Sequence, residues 1–226
     1  MIKQNILKQL KRVLYILIPL IGGGLVGVSC SEEDNTVDEY ANWQERNEAF
    51  IVSLATDSLL SPNSNPQWTR IKSYSLDEAV EGNPSDYIYV KIISKGTGTE
   101  SPMYTDSVRV SYEGRLIPTD SYPLGYVFDT TAGSTYDPAT NATVKFQMVT
   151  SGGVENLVSG WITALMHMHR GDHWRIFIPY QLGYGNTDKS TSGIPPYSTL
   201  IFDLTLVDFA PAGHAMDVWS SRQLKP

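Results

Sequence analysis

Alternation of apolar and polar side chains dominates the second half of the chain. Five stretches have apolar residues at every second position or form short β-branched and aromatic runs: residues 87–93, 108–112, 144–148, 174–178 and 200–209. Glycine or proline follows most of these stretches, as at strand ends. Because successive side chains of a strand point to opposite faces, each stretch predicts a strand with at least one buried face.

Two segments have the spacing of about 3.6 residues that is typical of an amphipathic helix. The first, residues 39–60, places Trp43, Phe50 and Leu54 on one face. The second, residues 157–169, lies between predicted strands. Each element has one apolar face to bury, so the pattern predicts an α+β fold: an antiparallel sheet wrapped against one short helix, preceded by a helical N-terminal segment.

The amino terminus has the pattern of a secretory signal. Four basic residues precede an apolar run over residues 13–28, which ends at Ser29-Cys30. The run is shorter than the roughly 20 apolar residues that cross a bilayer. It resembles a bacterial lipoprotein signal, which implies that residues 1–29 are removed and that the Cys30 sulfur takes a lipid. The alternative is an uncleaved anchor helix with Cys30 as an ordinary thiol.

Lipidation at Cys30 would make the protein a cell-envelope lipoprotein, anchored in the outer membrane and facing the periplasm or the cell surface. The acidic residues 31–34 resemble short signals that send some lipoproteins to the outer face of the outer membrane. The other interpretation of these four residues is a solvated linker. Both interpretations of Cys30 place the rest of the chain outside the cytoplasm.

Composition narrows the function classes. The chain has 226 residues, 41% of them hydrophobic and 18% charged, enough for one core-forming domain with additional segments. Its net charge is −7 and it has no run rich in Lys or Arg, which excludes nucleic acid as a partner. Its single cysteine excludes an intramolecular disulfide and a cysteine-rich metal site.

Three histidines, His167, His169 and His173, lie close together in the sequence. Residues two apart on a helix point to different faces, and no acidic residue stands at ligand spacing. We therefore expect no metal site and place these histidines at the surface.

An ordered series of short motifs runs through the strand-rich half. They are residues 108–116, Phe128-Asp129, residues 157–161 leading to Ala164-Leu165 and Met168, Gly171-Asp172, Ile178-Pro179, residues 182–185, residues 194–196 and residues 199–202. In order and spacing, this series resembles the FKBP-type peptidyl-prolyl isomerase family over residues 84–210. The resemblance does not reach residues 31–83.

The resemblance implies a five- to six-stranded antiparallel sheet around one short helix, with a prolyl-binding aromatic pocket between them. The catalytic residues that it implies are Asp129, Tyr184 and Trp161. The substrate-binding residues that it implies are Tyr112, Phe128, Phe146, Val158, Ile194 and Phe202. It implies no cofactor and no metal.

The same resemblance assigns a role to each catalytic residue. Trp161 would be the floor under the proline ring, Tyr184 would donate its hydroxyl to a substrate carbonyl, and Asp129 would lie beside the rotating amide. Val158 and Ile194 would offer backbone groups to the bound peptide. Departures from the family pattern at Val144 and Gly193, and long connections on both sides of Phe128, would widen the pocket or change its selectivity.

The sequence therefore divides into four parts: a lipoprotein signal (residues 1–29), an acidic linker with a helical segment (30–83), an isomerase domain (84–210) and a C-terminal tail (211–226). The leading hypothesis is a peptidyl-prolyl cis-trans isomerase for extracytoplasmic, proline-containing clients. The alternative is a peptide-binding or chaperone module with little isomerase activity. A third hypothesis gives residues 31–83 the biological role, either by docking a partner or by forming a homodimer through residues 39–60.

Overall fold

The computed structural model describes residues 38–56, 67–133 and 135–216. The predicted signal peptide and Cys30 lie outside these ranges. Among the helices in the described ranges, none is both long enough and apolar enough to cross a bilayer. The described residues from Glu39 onward belong to one compact unit.

Seven strands form a single antiparallel sheet. They are β1 (Trp68–Lys72), β2 (Tyr87–Ser94), β3 (Ser107–Arg115), β4 (Val127–Thr130), β5 (Val144–Gln147), β6 (His173–Ile178) and β7 (Leu200–Ala210). Their order in the sheet is β1-β2-β6-β7-β3-β4, and β5 also pairs with β3. The predicted fold class is confirmed, with seven strands instead of five to six.

Two of the seven strands, β1 and β4, were not predicted from the sequence. β1 lies at the sheet edge and β4 has only four residues, and most of their side chains are partly buried or exposed. Neither strand therefore has the clean alternation of a strand with one buried face. Because β1 pairs with β2 over its whole length, the sheet extends beyond the boundary that we expected at residue 84.

The short helix α2 (Ser159–Leu165) packs on one face of the sheet. Its Ile162 and Leu165 are fully buried in the same core as Ile176 and Leu204. Ile176 and Leu204 lie on the central strands β6 and β7. We call this side the inner face, and it is the side that carries the pocket described below.

Helix α1 (Trp43–Thr56) lies against the opposite, outer face. The ring of Phe50 is 6.1 Å from that of Phe177, and Phe177 stacks on Trp68 at 5.4 Å. Phe177 is the neighbour of Ile176 in β6, so the two side chains point to opposite faces of the sheet. The apolar side of α1 is thus buried on the protein's own sheet.

This packing bears directly on the homodimer hypothesis. Trp43 and Leu54 are buried and Phe50 is half-buried within one chain. The apolar face that the hypothesis proposed as a dimer contact is already used intramolecularly. The helix occupies part of residues 39–60, and residues 57–60 lie outside the described part of the chain.

Candidate functional site

A pocket of about 890 Å³ opens between the inner face of the sheet and α2. All nine site residues expected from the family resemblance line it: Tyr112, Phe128, Asp129, Phe146, Val158, Trp161, Tyr184, Ile194 and Phe202. Five elements, β3, β4, β5, α2 and β7, contribute six of them, and loop segments contribute the other three, so only the folded chain brings them together.

Trp161 forms the floor of the pocket. Only 4% of this residue is exposed, and three rings stand nearly perpendicular to its indole. Their centroids lie at 5.1 Å for Tyr112, 5.9 Å for Phe146 and 5.0 Å for Phe202. Edge-to-face packing of this kind holds rings in fixed orientations and leaves an apolar cavity above the indole. The floor of the pocket is therefore an apolar ring surface whose orientation is set by its three aromatic neighbours.

Close backbone approach at Gly114 shapes the pocket wall. Gly114 of β3 pairs with Phe202 of β7 and with Asp129 of β4. A Cβ atom at Gly114 would lie 2.6 Å from ring atoms of both Phe128 and Phe202. The missing side chain lets these two rings meet edge to face, with centroids 5.5 Å apart.

A carboxylate and two phenols supply the polar groups of the pocket. The Tyr112 hydroxyl donates a hydrogen bond of 2.6 Å to Asp129 Oδ2. Burial raises the pKa of Tyr112, and the bond to Asp129 raises it further. Burial also raises the pKa of Tyr184, with a smaller contribution from the Asp129 charge. Both phenols are therefore protonated at neutral pH and able to donate.

The backbone of Ile194 is partly engaged already. Its N–H donates to the Lys189 carbonyl, and its carbonyl accepts from the Lys189 N–H, both at 3.2 Å. A carbonyl has two lone pairs, so one acceptor position of Ile194 is left for a bound peptide. The Ile194 side chain is buried and lines the pocket.

Charged residues at the pocket rim were missed by the sequence analysis. Lys189 and Glu155 both line the pocket. The Lys189 ammonium lies 5.8 Å from the centre of the Tyr184 ring, and Glu155 accepts a hydrogen bond from Tyr74. Lys189 lies between Tyr184 and Ile194 in the sequence. Its position between two expected site residues could have predicted that it lines the pocket. No sequence pattern predicted that Glu155 lines the pocket.

Gly193 and Val144, the two departures from the family pattern, have different surroundings in the structure. Gly193 has φ of 73°, and a Cβ atom there would lie 2.5 Å from Tyr126 Cε1. The Tyr126 ring thus fills the space beside Gly193. Val144 pairs with Val110 in the sheet and is not among the residues that line the pocket. An aromatic residue from the long connection before Phe128 compensates for the small residue.

The surface position expected for the three histidines is wrong for His173. This residue is half-buried on the outer face, where its Nε2 lies 3.8 Å from Asp203 Oδ1. Arg175 also binds Asp203, through hydrogen bonds of 2.8 and 3.0 Å. Within the described ranges, no three His, Cys, Asp or Glu side chains are grouped as metal ligands would be.

Comparison with known proteins gives consistent results. The model of the family described as FKBP-type peptidyl-prolyl cis-trans isomerase matches residues 98–207. The chain is 34% identical over 134 residues to a macrophage infectivity potentiator of Trypanosoma cruzi, covering 58% of this chain and 56% of that protein. It is 39% identical over 132 residues to the outer membrane protein MIP of Legionella longbeachae, covering 57% of this chain and 46% of that protein.

A third relative is the FKBP-type 22 kDa peptidyl-prolyl cis-trans isomerase of Escherichia coli, 36% identical over 118 residues, covering 52% of this chain and 48% of that protein. The chain thus spans about half the length of the curated relatives that it matches.

Among solved structures, a peptidyl-prolyl cis-trans isomerase of Pseudomonas syringae has a TM-score of 0.50 at 22% identity, covering 77% of this chain and 98% of that one. FkpA of Escherichia coli has a TM-score of 0.50 at 24% identity, covering 76% of this chain and 61% of that one. These two structures have the same fold.

Proposed function

We propose, from the premise that residues 98–207 belong to the FKBP-type peptidyl-prolyl cis-trans isomerase family, that this protein accelerates rotation about X-Pro bonds in extracytoplasmic polypeptides. The observation that carries the proposal is the aromatic pocket over Trp161 with the Tyr112–Asp129 pair at its wall. A proline ring is small, apolar and flat enough to lie on the indole.

The reaction needs no nucleophile and no metal. An X-Pro bond favours trans by only about 0.5 to 1 kcal/mol, yet amide resonance puts a barrier of roughly 18 to 20 kcal/mol between the two forms. Twisting the amide removes its charge-separated resonance form, so the twisted amide is less polar than the planar one. An apolar pocket that fits the twisted form better than the planar form therefore lowers the barrier.

The polar groups of the pocket orient the amide that rotates. Tyr184 is 39% exposed, so its protonated hydroxyl can reach a substrate carbonyl at the pocket mouth. Asp129, which accepts a hydrogen bond from Tyr112, would lie beside the rotating amide of a bound peptide. The backbone groups of Val158 and Ile194 would bind the flanking peptide.

Cis-trans exchange on a panel of short X-Pro peptides tests this function directly. The full-length chain, kept in mild detergent because of its apolar N-terminal run, should accelerate exchange. Asp129→Ala and Tyr184→Phe should each lower kcat/KM. Asp208→Ala, which removes a carboxylate bound to Arg170 outside the pocket, should leave the rate unchanged.

The same experiment distinguishes the alternative, a peptide-binding or chaperone module. The pocket of about 890 Å³ is large for a single proline ring and has charged residues at its rim, which favours contact with a longer peptide. Peptide binding by folded protein without acceleration of exchange would support the alternative and reject the isomerase.

We further propose that the protein is a lipoprotein of the cell envelope, with residues 1–29 as its signal peptide and Cys30 as the lipidated residue. The name of the Legionella longbeachae relative, outer membrane protein MIP, supports this location. Labelled fatty acid should be incorporated in cells that express the chain and lost with Cys30→Ala. Unchanged incorporation in the variant would contradict the proposal.

A further inference from the structure

We infer that helix α1, which lies outside the residues matched by the family model, positions the edge of the pocket, and that Asn47 is the positioning residue. The inference rests on the proposed isomerase function, because its main readout is the rate of exchange. Residues 194–199, which start with the pocket residue Ile194 and lead into β7, are the loop that α1 contacts.

Asn47 is an unusual residue for the buried side of a helix, since asparagine is mostly exposed in proteins. It is 0% exposed. Its Oδ1 accepts the Thr199 N–H at 2.7 Å, and its Nδ2 donates to the Trp43 carbonyl at 2.7 Å. A buried amide with both ends bonded holds its partners in one geometry, because losing either bond leaves a buried polar group unpaired.

A second contact from α1 reaches the same loop. Trp43 Nε1 donates to the Ser198 hydroxyl at 2.9 Å, and that hydroxyl donates to the Pro195 carbonyl at 2.6 Å. Pro195 directly follows Ile194 in the chain. Two residues of α1 therefore restrain the segment from Pro195 to Thr199: Asn47 holds Thr199 directly, and Trp43 reaches Pro195 through Ser198.

The loop between these contacts has an unfavourable backbone conformation. Tyr197 has φ of 63°, in the left-handed region that non-glycine residues rarely adopt. Its N–H donates to the Gly185 carbonyl at 2.9 Å, next to the site residue Tyr184. Such a conformation persists only where surrounding contacts hold it. The direct contacts from Trp43 and Asn47 reach Ser198 and Thr199, which follow Tyr197, and the Ser198 bond to Pro195 extends the restraint to its other side. Through the bond from Tyr197 to Gly185, they also restrain the backbone next to Tyr184.

Asn47→Leu is the central test, since leucine has a similar volume and removes both hydrogen bonds. The full-length chain in mild detergent is assayed well below the unfolding midpoints of all variants. We expect kcat/KM to fall about tenfold or more, because a small misplacement caused by a substitution far from the chemistry can lower the reaction rate by up to about a hundredfold. Amide NMR signals of Ile194 and Tyr184 should shift, and the Thr199 amide should exchange faster with solvent.

Leu54→Ala is the matched control. Leu54 lies two turns later on the buried side of α1 and has no polar group to offer the loop. Its truncation should lower the unfolding midpoint while leaving kcat/KM and the Ile194 and Tyr184 signals unchanged. Trp43→Phe removes the indole N–H contact to Ser198 together with part of a buried ring, and it should change activity in the same direction as Asn47→Leu.

The outcomes separate this inference from the proposed function. If the parent chain is active and both Asn47→Leu and Trp43→Phe have the same kcat/KM as the parent chain, the inference is overturned. The proposed isomerase function would then remain intact. Equal losses of kcat/KM in Asn47→Leu and Leu54→Ala would reduce α1 to a purely stabilising element and also overturn it. A folded parent chain without activity would reject the proposed function, and the inference with it.

Discussion

The Tyr112 hydroxyl donates a hydrogen bond of 2.6 Å to Asp129 Oδ2, which links β3 to β4 at the wall of the pocket. Tyr112 is buried, whereas Asp129 is exposed. The bond thus fixes an otherwise solvated carboxylate beside the apolar floor. A charge-assisted hydrogen bond of this length is stronger than one between neutral groups.

The link predicts non-additive effects of substitution. Tyr112→Phe and Asp129→Ala should each lower kcat/KM, and the double variant should lose less than the sum of the two free-energy changes. The reason is that two residues that act through one bond share its loss. We expect a stability loss of about 1 kcal/mol for Tyr112→Phe, since the exposed carboxylate can be rehydrated. The measurement is a double-mutant cycle on kcat/KM.

Tyr136→Phe is the control for this cycle. It removes a partly buried hydroxyl that is hydrogen-bonded to Thr205 at 2.9 Å, on a residue that does not line the pocket. Its kcat/KM should equal that of the parent chain. Strictly additive effects of Tyr112→Phe and Asp129→Ala would show that the two residues act separately.

Gly114→Ala should damage the site without abolishing the fold. The new methyl group would meet the Phe128 and Phe202 rings at 2.6 Å, so both rings must move. Overpacking of this kind costs roughly 1 to 3 kcal/mol of stability. We expect a lower unfolding midpoint and lower kcat/KM.

Gly152→Ala is the matched control for Gly114→Ala. Its added Cβ would have no neighbour closer than 3.8 Å. This variant should match the parent chain in both stability and kcat/KM. Parent-like activity in Gly114→Ala would mean that the contact between the two rings does not shape the site.

Lys189 should set a charge preference for the bound peptide. Its ammonium lies at the pocket rim near Tyr184, so X-Pro peptides with an acidic residue beside the proline should be favoured over basic ones. Lys189→Glu should reverse that preference. The change should be within about fivefold and should shrink at high salt, because exposed ion pairs are weak and screened.

Lys95→Glu makes the same charge change at an exposed residue that does not line the pocket. It should leave the ratio of kcat/KM values for acidic and basic peptides unaltered. An equal change in both variants would point to the overall charge of the protein as the cause.

Stability should fall in alkaline solution. Burial raises the pKa of Tyr89 to about 12 from its ordinary value of 10.0. The folded state therefore keeps a proton that the unfolded state loses above pH 10, and the stability this residue contributes is present below pH 10 and is lost as the pH rises through 12. Desolvation also raises the pKa of buried Tyr112 and of partly buried Tyr136, so both act in the same direction.

Unfolding midpoints at pH 8 and pH 11 measure this effect. The midpoint should be lower at pH 11, and Tyr89→Phe should reduce the difference between the two. Equal midpoints in the parent chain would contradict the assignment of these tyrosines as buried and protonated.

Strand positions and the site motif were readable because they depend on local pattern. The alternation at Val108, Val110 and Tyr112 sets which side chains face the core, wherever the neighbouring strands come from. The order of the motifs around Trp161 and Tyr184 predicted a resemblance to a family whose pocket draws on these residue types. All nine expected residues do lie in one pocket.

Only the tertiary structure decided how the remaining parts pack. The apolar face of α1 predicts that this face is buried, but periodicity does not indicate which surface covers it. In the structure, α1 packs on the outer face of the sheet around Phe177. Asn47 looked like an ordinary polar position, because its partner Thr199 is 152 residues away in the sequence. Tyr126 likewise fills the space beside Gly193 through a contact that no local pattern encodes. Local sequence thus determined the elements and the type of site, whereas long-range contacts determined what supports the site and shapes its edge.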